Sequence, residues 1–336
     1  VAKITVIGTT SWGTTLAIIQ ARKGLEVCLW ARTREVSREL SAARENRPIL
    51  PGIRFPDNLC VTHDMGKALN GADAVIFGVP SQSMRKNLEL AVPYLQSSSL
   101  VISAAKGLEL GTNLRMSEVI AEVLDMPSSE VCVLSGPNLA NEVARGLPAA
   151  AIMASRHTKC CEKGRHLLNG PSFHVQMTDD VVGVELGGSL KNIVALGAGV
   201  ADGLGMGDNA KAVLVTQGWA EITTLGVAMG ANAATFSGLA GLGDLIATCA
   251  SPLSRNHYYG EQLAKGRTLA EIMDSTPHVA EGLPTTRAAY ELSLELRVDM
   301  PIIRLMYRVL FEGLPPQKVV EELMFITTRT PGRVGY

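Results

Sequence analysis

Short apolar runs recur through the first half of the chain, each followed by a longer stretch with helical spacing, and this alternation predicts a parallel sheet covered on both faces. Lys3–Gly8 (KITVIG) reads as the first strand and leads directly into a glycine-bearing loop and a helix reaching about Lys23. Gly24 ends that helix, and Glu26–Trp30 (EVCLW) gives the second strand. Further strands are expected at Ala74–Val79, Ser99–Ala104, Val131–Gly136, Ala149–Ser155 and Phe173–Met177. The proline-bearing stretch from Asn46 to Asn58 reads as a long loop. Beyond about Thr178 the β-branched runs give way to helical periodicity. The expected fold class is α/β, with a mostly parallel sheet domain over residues 1–180 followed by an all-helical domain over 181–336.

Within the helical half, residues 185–211 (ELGGSLKNIVALGAGVADGLGMGDNAK) set one lysine, Lys191, in a run of glycine, alanine and aliphatic residues. Desolvation disfavours an ammonium, so a lysine held there finds partners or loses its proton more readily than a surface lysine. The plain alternative is a stem laid on apolar surface with its head in water. Gly183, Gly187 and Lys191 fall on one helix face, where small residues admit another backbone or a flat ligand.

Composition narrows the field. The chain has 336 residues, 46% of them hydrophobic, enough for two domains with buried cores. A formal net charge of -1 with interspersed signs gives no electrostatic footprint for nucleic acid or an anionic membrane. Cys28, Cys60, Cys132, Cys160, Cys161 and Cys249 are scattered without metal-ligand spacing, which fits a reducing, cytoplasmic setting. The first residues run straight into a strand pattern, so no export signal is expected. Ile222–Gly243 carries no charge, yet threonine, asparagine, serine and glycines interrupt it, so it reads as buried helices with a loop.

Gly8–Ala17 (GTTSWGTTLA) lies between a strand and a helix, where amides at the helix start and the helix dipole favour a dinucleotide pyrophosphate. Gly8 and Gly13 take the first and third positions of G-x-G-x-x-G, while Thr10 replaces the second. Arg32 and Arg34 follow the second strand ahead of the first acid, Glu35, an order that suits a 2′-phosphate and hence NADP, or else marks an ordinary helix start. Lys106 in AAKGLE and Ser135–Pro137 in SGPNLANEVARG end strands on the ligand-binding edge of such a sheet, or form plain turns. Ser254, Arg255 and Asn256 offer donors at a helix start, suited to a phosphate monoester or to capping alone. Asp244, in a glycine-rich apolar setting, needs a cation, for which Lys191 is a candidate.

Together these blocks, with HVAEG at 278–282, resemble the NAD(P)-dependent glycerol-3-phosphate dehydrogenases of bacteria, in that family's order and over nearly the whole chain. The resemblance implies a Rossmann-type domain followed by an all-helical one, with the active site between them. It implies reversible hydride transfer between NADP, the preferred cofactor, or NAD and a small phosphorylated triose, dihydroxyacetone phosphate. The product, sn-glycerol 3-phosphate, feeds phospholipid synthesis. Lys191 matches the acid/base lysine, supported by Lys106 and Asp244. Substrate positions match Lys106, Gly136, Asn138, Lys191, Asp244, Ser254, Arg255 and Asn256, with Arg255 and Asn256 as the phosphate grip. Cofactor positions match Gly8, Ser11, Trp12, Gly13, Arg32, Lys106, Ala140, Arg255, Val279 and Glu281. No nucleic-acid partner or stable membrane insertion is expected, and homodimerisation stays open.

Two residues depart from the family's pattern. Asn138 stands where serine or threonine is usual, a change that keeps hydrogen bonding. Thr10 puts a β-branched side chain where backbone should touch pyrophosphate, an expected cost of about 1–3 kcal/mol, or roughly 10- to 100-fold in affinity. Two other readings remain on this basis. One is a dinucleotide sensor that has lost turnover; the other is a related 6-phosphogluconate or 3-hydroxyacid dehydrogenase, against which the Ser254–Asn256 set beside Gly207–Asn209 argues.

Overall fold

The computed structural model describes residues 2–251, 254–276, 280–319 and 321–323. Its eight strands are β1 (Lys3–Ile7), β2 (Glu26–Trp30), β3 (Leu59–Thr62), β4 (Ala74–Phe77), β5 (Leu100–Ser103), β6 (Cys132–Ser135), β7 (Ala149–Ala154) and β8 (Phe173–Thr178). They form one sheet in the order β3-β2-β1-β4-β5-β6-β7-β8, parallel throughout except where β7 runs antiparallel to β6. The order reverses between β1 and β4, and such a switch opens a crevice at the strands' carboxyl ends. Separate apolar clusters fill the two faces, one gathering Ile4, Leu16 and Leu29, the other Ile7, Phe77 and Leu88.

Seven of these strands lie where the apolar runs put them. The eighth, β3, does not stand out in the sequence because it is only four residues long, follows a proline-bearing loop and exposes Cys60 at the sheet edge. Alternation over so short an edge segment carries no clear period. The loop before it is firmly held: Asn46 Nδ2 donates to Thr14 Oγ1 at 2.9 Å and Thr9 O at 3.1 Å, and Leu50 and Phe55 are buried.

After β8 the chain turns helical. The central helix, Val181–Gly203, begins at Asp180, whose carboxylate accepts from Gly183 N at 2.9 Å. It is buried on every side from Val181 to Ala201, which explains a sequence apolar all round. By length and composition it could cross a membrane, as could Ala233–Ala250, but the apolar stretch of the first is wholly buried inside protein. The uncharged stretch 222–243 is only partly buried: Ile222, Leu225, Phe236 and Ala240 face the core, whereas Val227 and Leu242 are exposed. Its loop and short helical turns alternate sides, so absence of charge there does not mean burial throughout.

Glycines set how closely neighbours approach the central helix. A Cβ on Gly187 would lie 3.0 Å from Ala240 O, and one on Gly183 would lie 2.9 Å from Thr235 Cβ, so this face receives another stretch of backbone and not a flat ligand. Farther along, Gly199 meets His257 O and Gly260 of the Arg255–Ala264 helix meets Leu196 O, each at 2.0 Å from the hypothetical Cβ. That crossing fixes the start of the Arg255–Ala264 helix against the middle of the central helix. Glu185 ties the central helix to the sheet domain, accepting from Arg115 Nη1 at 2.5 Å, Ser117 N at 2.8 Å and Ser117 Oγ at 2.6 Å.

Gly260→Ala should therefore lower stability by about 1–3 kcal/mol, the usual cost of overpacking, measured by urea denaturation. Gly170→Ala, whose Cβ meets only Lys23 Cδ at 3.4 Å, serves as the control and should be nearly neutral. Equal losses in the two variants would contradict a close helix crossing.

Candidate active site

Between the sheet domain and the helical domain lies a cleft of 440 Å³. One wall is built from the carboxyl ends of the strands: Thr10, Ser11 and Trp12 after β1, Gly78–Pro80 after β4, Ala104–Lys106 after β5 and Asn138–Asn141 after β6. The opposite wall carries Lys191, Asn192, Asp244, Thr248, Ser254, Arg255, Asn256 and Glu281. A neighbouring cleft of 270 Å³, lined by Gly8, Trp30 and Arg32, shares Thr10, Ile49, Val79 and Pro80 with the first. The two form one elongated channel.

Asp244 is the centre of the larger cleft. It is 2% exposed, and its two oxygens accept from different lysines, Oδ1 from Lys191 Nζ and Oδ2 from Lys106 Nζ, both at 2.7 Å. Lys191 also donates to Thr248 Oγ1, and Thr248 in turn donates to Asp244 O at 2.7 Å. Lys106 makes a second bond, to Gly136 O, at 2.9 Å. Burial holds Lys191 down to about 8, with Lys106 pushing the same way and Asp244 opposing. Two of the three ammonium hydrogens of Lys191 are committed to protein, which leaves one for a ligand. A lysine so placed can give or take a proton near neutral pH.

The Arg255–Ala264 helix supplies the rest of that wall. Ser254 caps it, accepting from His257 N at 3.2 Å, and keeps its own hydroxyl hydrogen. Asn256 is mostly spent on protein: Nδ2 donates to Asn192 Oδ1 at 2.8 Å and Oδ1 accepts from Gly282 N at 2.9 Å. The Arg255 side chain is exposed and has no hydrogen-bond partner among the described residues, although surrounding protein lowers its pKa against the pull of Glu281. It lines the cleft, where a planar fork of donors can serve as an anion grip. Glu281 reaches across the cleft, accepting from Ser81 N at 3.0 Å and from Ser81 Oγ; burial raises its pKa, and Ser81 and Arg255 oppose the rise. Across the cleft, both amide atoms of Asn138 are buried and without a partner among the described residues, a costly arrangement that a polar ligand would relieve.

At the other end, the first helix, Ser11–Arg22, presents Ser11 and Trp12 in its first turn, where amides have no carbonyl to pair with inside the helix. Thr10 has a structural task as well. Its hydroxyl accepts from Gly13 N at 3.0 Å and donates to Gly78 O at 2.5 Å, so it caps the helix and ties it to β4. The hydroxyl is thus engaged with protein, where losing such a cap costs about 1 kcal/mol, and Thr10 lines both clefts. Gly13 and Gly136 do not line the cleft. Gly13 packs against Gly8 and Gly78, where a Cβ would lie 2.2 Å from Gly8 O, and Gly136 enters only through its carbonyl. Arg32 is exposed at the mouth of the smaller cleft, and Ala140 lines the larger one. Val279 lies outside the described residues. Gly207–Asn209 stays exposed outside the cleft, so it offers no support for a particular substrate.

Several cleft residues escaped the sequence reading. Asn192 follows Lys191 directly, and Thr248 lies one helical turn after Asp244, a spacing that was available to find it. Gly78, Ser81 and Ile49 had no comparable signal, because only the closing of the sheet brings their loops beside Gly8.

The channel offers donors suited to a dinucleotide, and comparisons with known proteins agree. Residues 3–161 match the model for the N-terminus of NAD-dependent glycerol-3-phosphate dehydrogenase, and residues 180–321 match the model for its C-terminus. A glycerol-3-phosphate dehydrogenase [NAD(P)+] of Dehalococcoides mccartyi is 51% identical over 325 residues, covering 96% of this chain and 90% of its own. One from Streptomyces griseus is 46% identical over 322 residues, covering 96% of each. The crystal structure of glycerol-3-phosphate dehydrogenase from Coxiella burnetii superposes with a TM-score of 0.92 at 36% identity, covering 96% of this chain and 98% of that one. A ketopantoate reductase from Ralstonia eutropha, 16% identical with a TM-score of 0.62, shares the fold alone.

Removing the shared carboxylate as Asp244→Asn leaves two ammonium groups facing each other in a buried site. Stability should fall by about 3–5 kcal/mol, and the titration of Lys191, followed through its ¹³Cε shift, should move below its value of about 8. An unmoved titration would show that Asp244 does not hold the charge on Lys191.

Proposed function

The chain belongs to the NAD-dependent glycerol-3-phosphate dehydrogenase family, and on that premise we propose that its cleft interconverts dihydroxyacetone phosphate and sn-glycerol 3-phosphate with Lys191 as the proton donor and acceptor. The carrying observation is the buried Lys191–Asp244–Lys106 cluster, in which one lysine is brought near neutrality and keeps one hydrogen for the cleft. When bound, NAD(P)H supplies the hydride. Ser11, Trp12 and the amides around them would hold its pyrophosphate, Glu281 and Ala140 would line its inner end, and Arg32 would meet a 2′-phosphate.

In reduction, Lys191 donates its free hydrogen to the carbonyl oxygen as negative charge develops there, and becomes an amine still accepted by the polar frame of Asp244 and Thr248. In oxidation the amine takes the hydroxyl proton back. Lys106 adds positive charge at the same oxygen. Arg255 grips the phosphate, with the Ser254 hydroxyl and the second Nδ2 hydrogen of Asn256 beside it, and the partnerless Asn138 amide meets the substrate's hydroxyl or carbonyl. The product would supply glycerophospholipid synthesis in the cytoplasm. A sensor has no need of the Lys191–Asp244–Lys106 cluster together with an arginine placed as a phosphate grip, which argues against that reading.

Purified protein should oxidise NADPH in the presence of dihydroxyacetone phosphate, and Lys191→Ala should lower kcat by about 10²- to 10⁴-fold while leaving cofactor binding nearly intact. Because reduction needs the ammonium, its rate should fall as pH rises through about 8, whereas oxidation of glycerol 3-phosphate should rise through the same point. No turnover with either NADPH or NADH would overturn the proposal.

Arg32→Ala should raise KM for NADPH by roughly 10- to 100-fold, the worth of one charge-assisted contact, and leave KM for NADH nearly unchanged. Equal effects on both would remove Arg32 from the 2′-phosphate.

A further inference from the structure

Cys28 on β2 and Cys60 on β3 are in-register partners across a parallel pair. Such residues project from the same face of the sheet, and neighbouring strands lie about 4.7–4.9 Å apart, within the roughly 4.4–6.8 Å between Cα atoms that a disulfide can bridge. Their surroundings differ. Cys28 is 3% exposed beneath the packed helices, whereas Cys60 is exposed on the edge strand. The neighbouring Cys28 thiol, with Lys3 helping and burial and Glu26 opposing, draws the Cys60 thiol below the usual thiol range. Cys132, Cys160, Cys161 and Cys249 are all pushed upward by burial instead. One accessible thiol paired in register with one buried thiol on the same sheet face is the arrangement of an attacking and a resolving cysteine.

We propose that Cys60 and Cys28 form an oxidisable dithiol, a modification site for hydroperoxides in which Cys60 attacks and Cys28 resolves. The Cys60 thiolate attacks one peroxide oxygen; the O–O bond breaks, the alkoxide or hydroxide leaves and takes a proton, and Cys60 becomes a sulfenic acid. The Cys28 sulfur then attacks the Cys60 sulfur, the S–O bond breaks, and hydroxide leaves with the Cys28 proton as water. Two electrons pass from the thiols to the peroxide, and the new S–S bond fastens the edge strand to β2, whose end carries Trp30 and Arg32 at the smaller cleft.

The test uses the folded full chain and hydrogen peroxide. The intact mass should fall by two hydrogens, a non-reduced peptide map should join the segments containing Cys28 and Cys60, and a dithiol should reverse both changes. Cys28→Ser should stop Cys60 at the sulfenic acid, trapped by dimedone, and Cys60→Ser should form no link. Since burying Cys28 matters to packing, the wild-type chain gives an independent reading: iodoacetamide should label Cys60 about 10-fold faster than Cys160 near neutral pH. Equal labelling rates, or oxidation of Cys60 without a link to Cys28, would overturn the proposal.

Discussion

A single buried carboxylate, Asp244, holds two lysines that come from different domains, Lys106 from the end of β5 and Lys191 from the central helix. Two ammonium groups brought this close repel each other and each loses hydration; without the anion between them the cleft would open or a lysine would discharge. With it, the walls are held at a fixed separation and Lys191 is left balanced between forms. Burial pulls Lys191 towards the amine and Asp244 pulls it back, so the charge that joins the domains also sets the readiness of the proton. Stability and reactivity therefore rest on the same atoms.

That balance depends on position to within a few tenths of an ångström, and glycines supply it. Gly199 and Gly260 let the Arg255–Ala264 helix cross the central helix closely enough for Asn256 to bond with Asn192, and Gly187 lets the backbone at Ala240, four residues before Asp244, approach Lys191's helix. In the sheet domain Gly8, Gly13 and Gly78 perform the same task, drawing the first helix onto the strand ends. Thr10 shows that the task has more than one solution. A hydroxyl bonded both to the helix and to β4 replaces the freedom of a glycine with two hydrogen bonds.

Around this frame the cleft is unevenly satisfied, and the unevenness is informative. Asn256 and Ser254, promising as phosphate ligands in sequence, spend most of their capacity on Asn192, Gly282 and a helix cap. Arg255 and Asn138 have no side-chain hydrogen-bond partner among the described residues. Residues that hold the site together and residues left over for a ligand are thus neighbours of the same chemical kind, separated only by what packs against them.

The alternation of strand and helix, the strand-to-helix position of Gly8 and Thr10, and the misfit of Lys191 and Asp244 in apolar runs are legible along the chain, because each is a local matter of period, turn or desolvation. The sequence also carried the family resemblance, since whole blocks keep their order along the chain. It could not reveal β3, whose four residues at an exposed edge have no pattern of their own, nor the partnership of Ser81 with Glu281 across 200 positions. The packed fold alone reveals that Thr10 caps the first helix, that the glycine face receives backbone, and that Asp244 answers to two lysines. These outcomes depend on which atoms are left within hydrogen-bond reach once the sheet and the central helix have packed, and a linear pattern does not contain that distance.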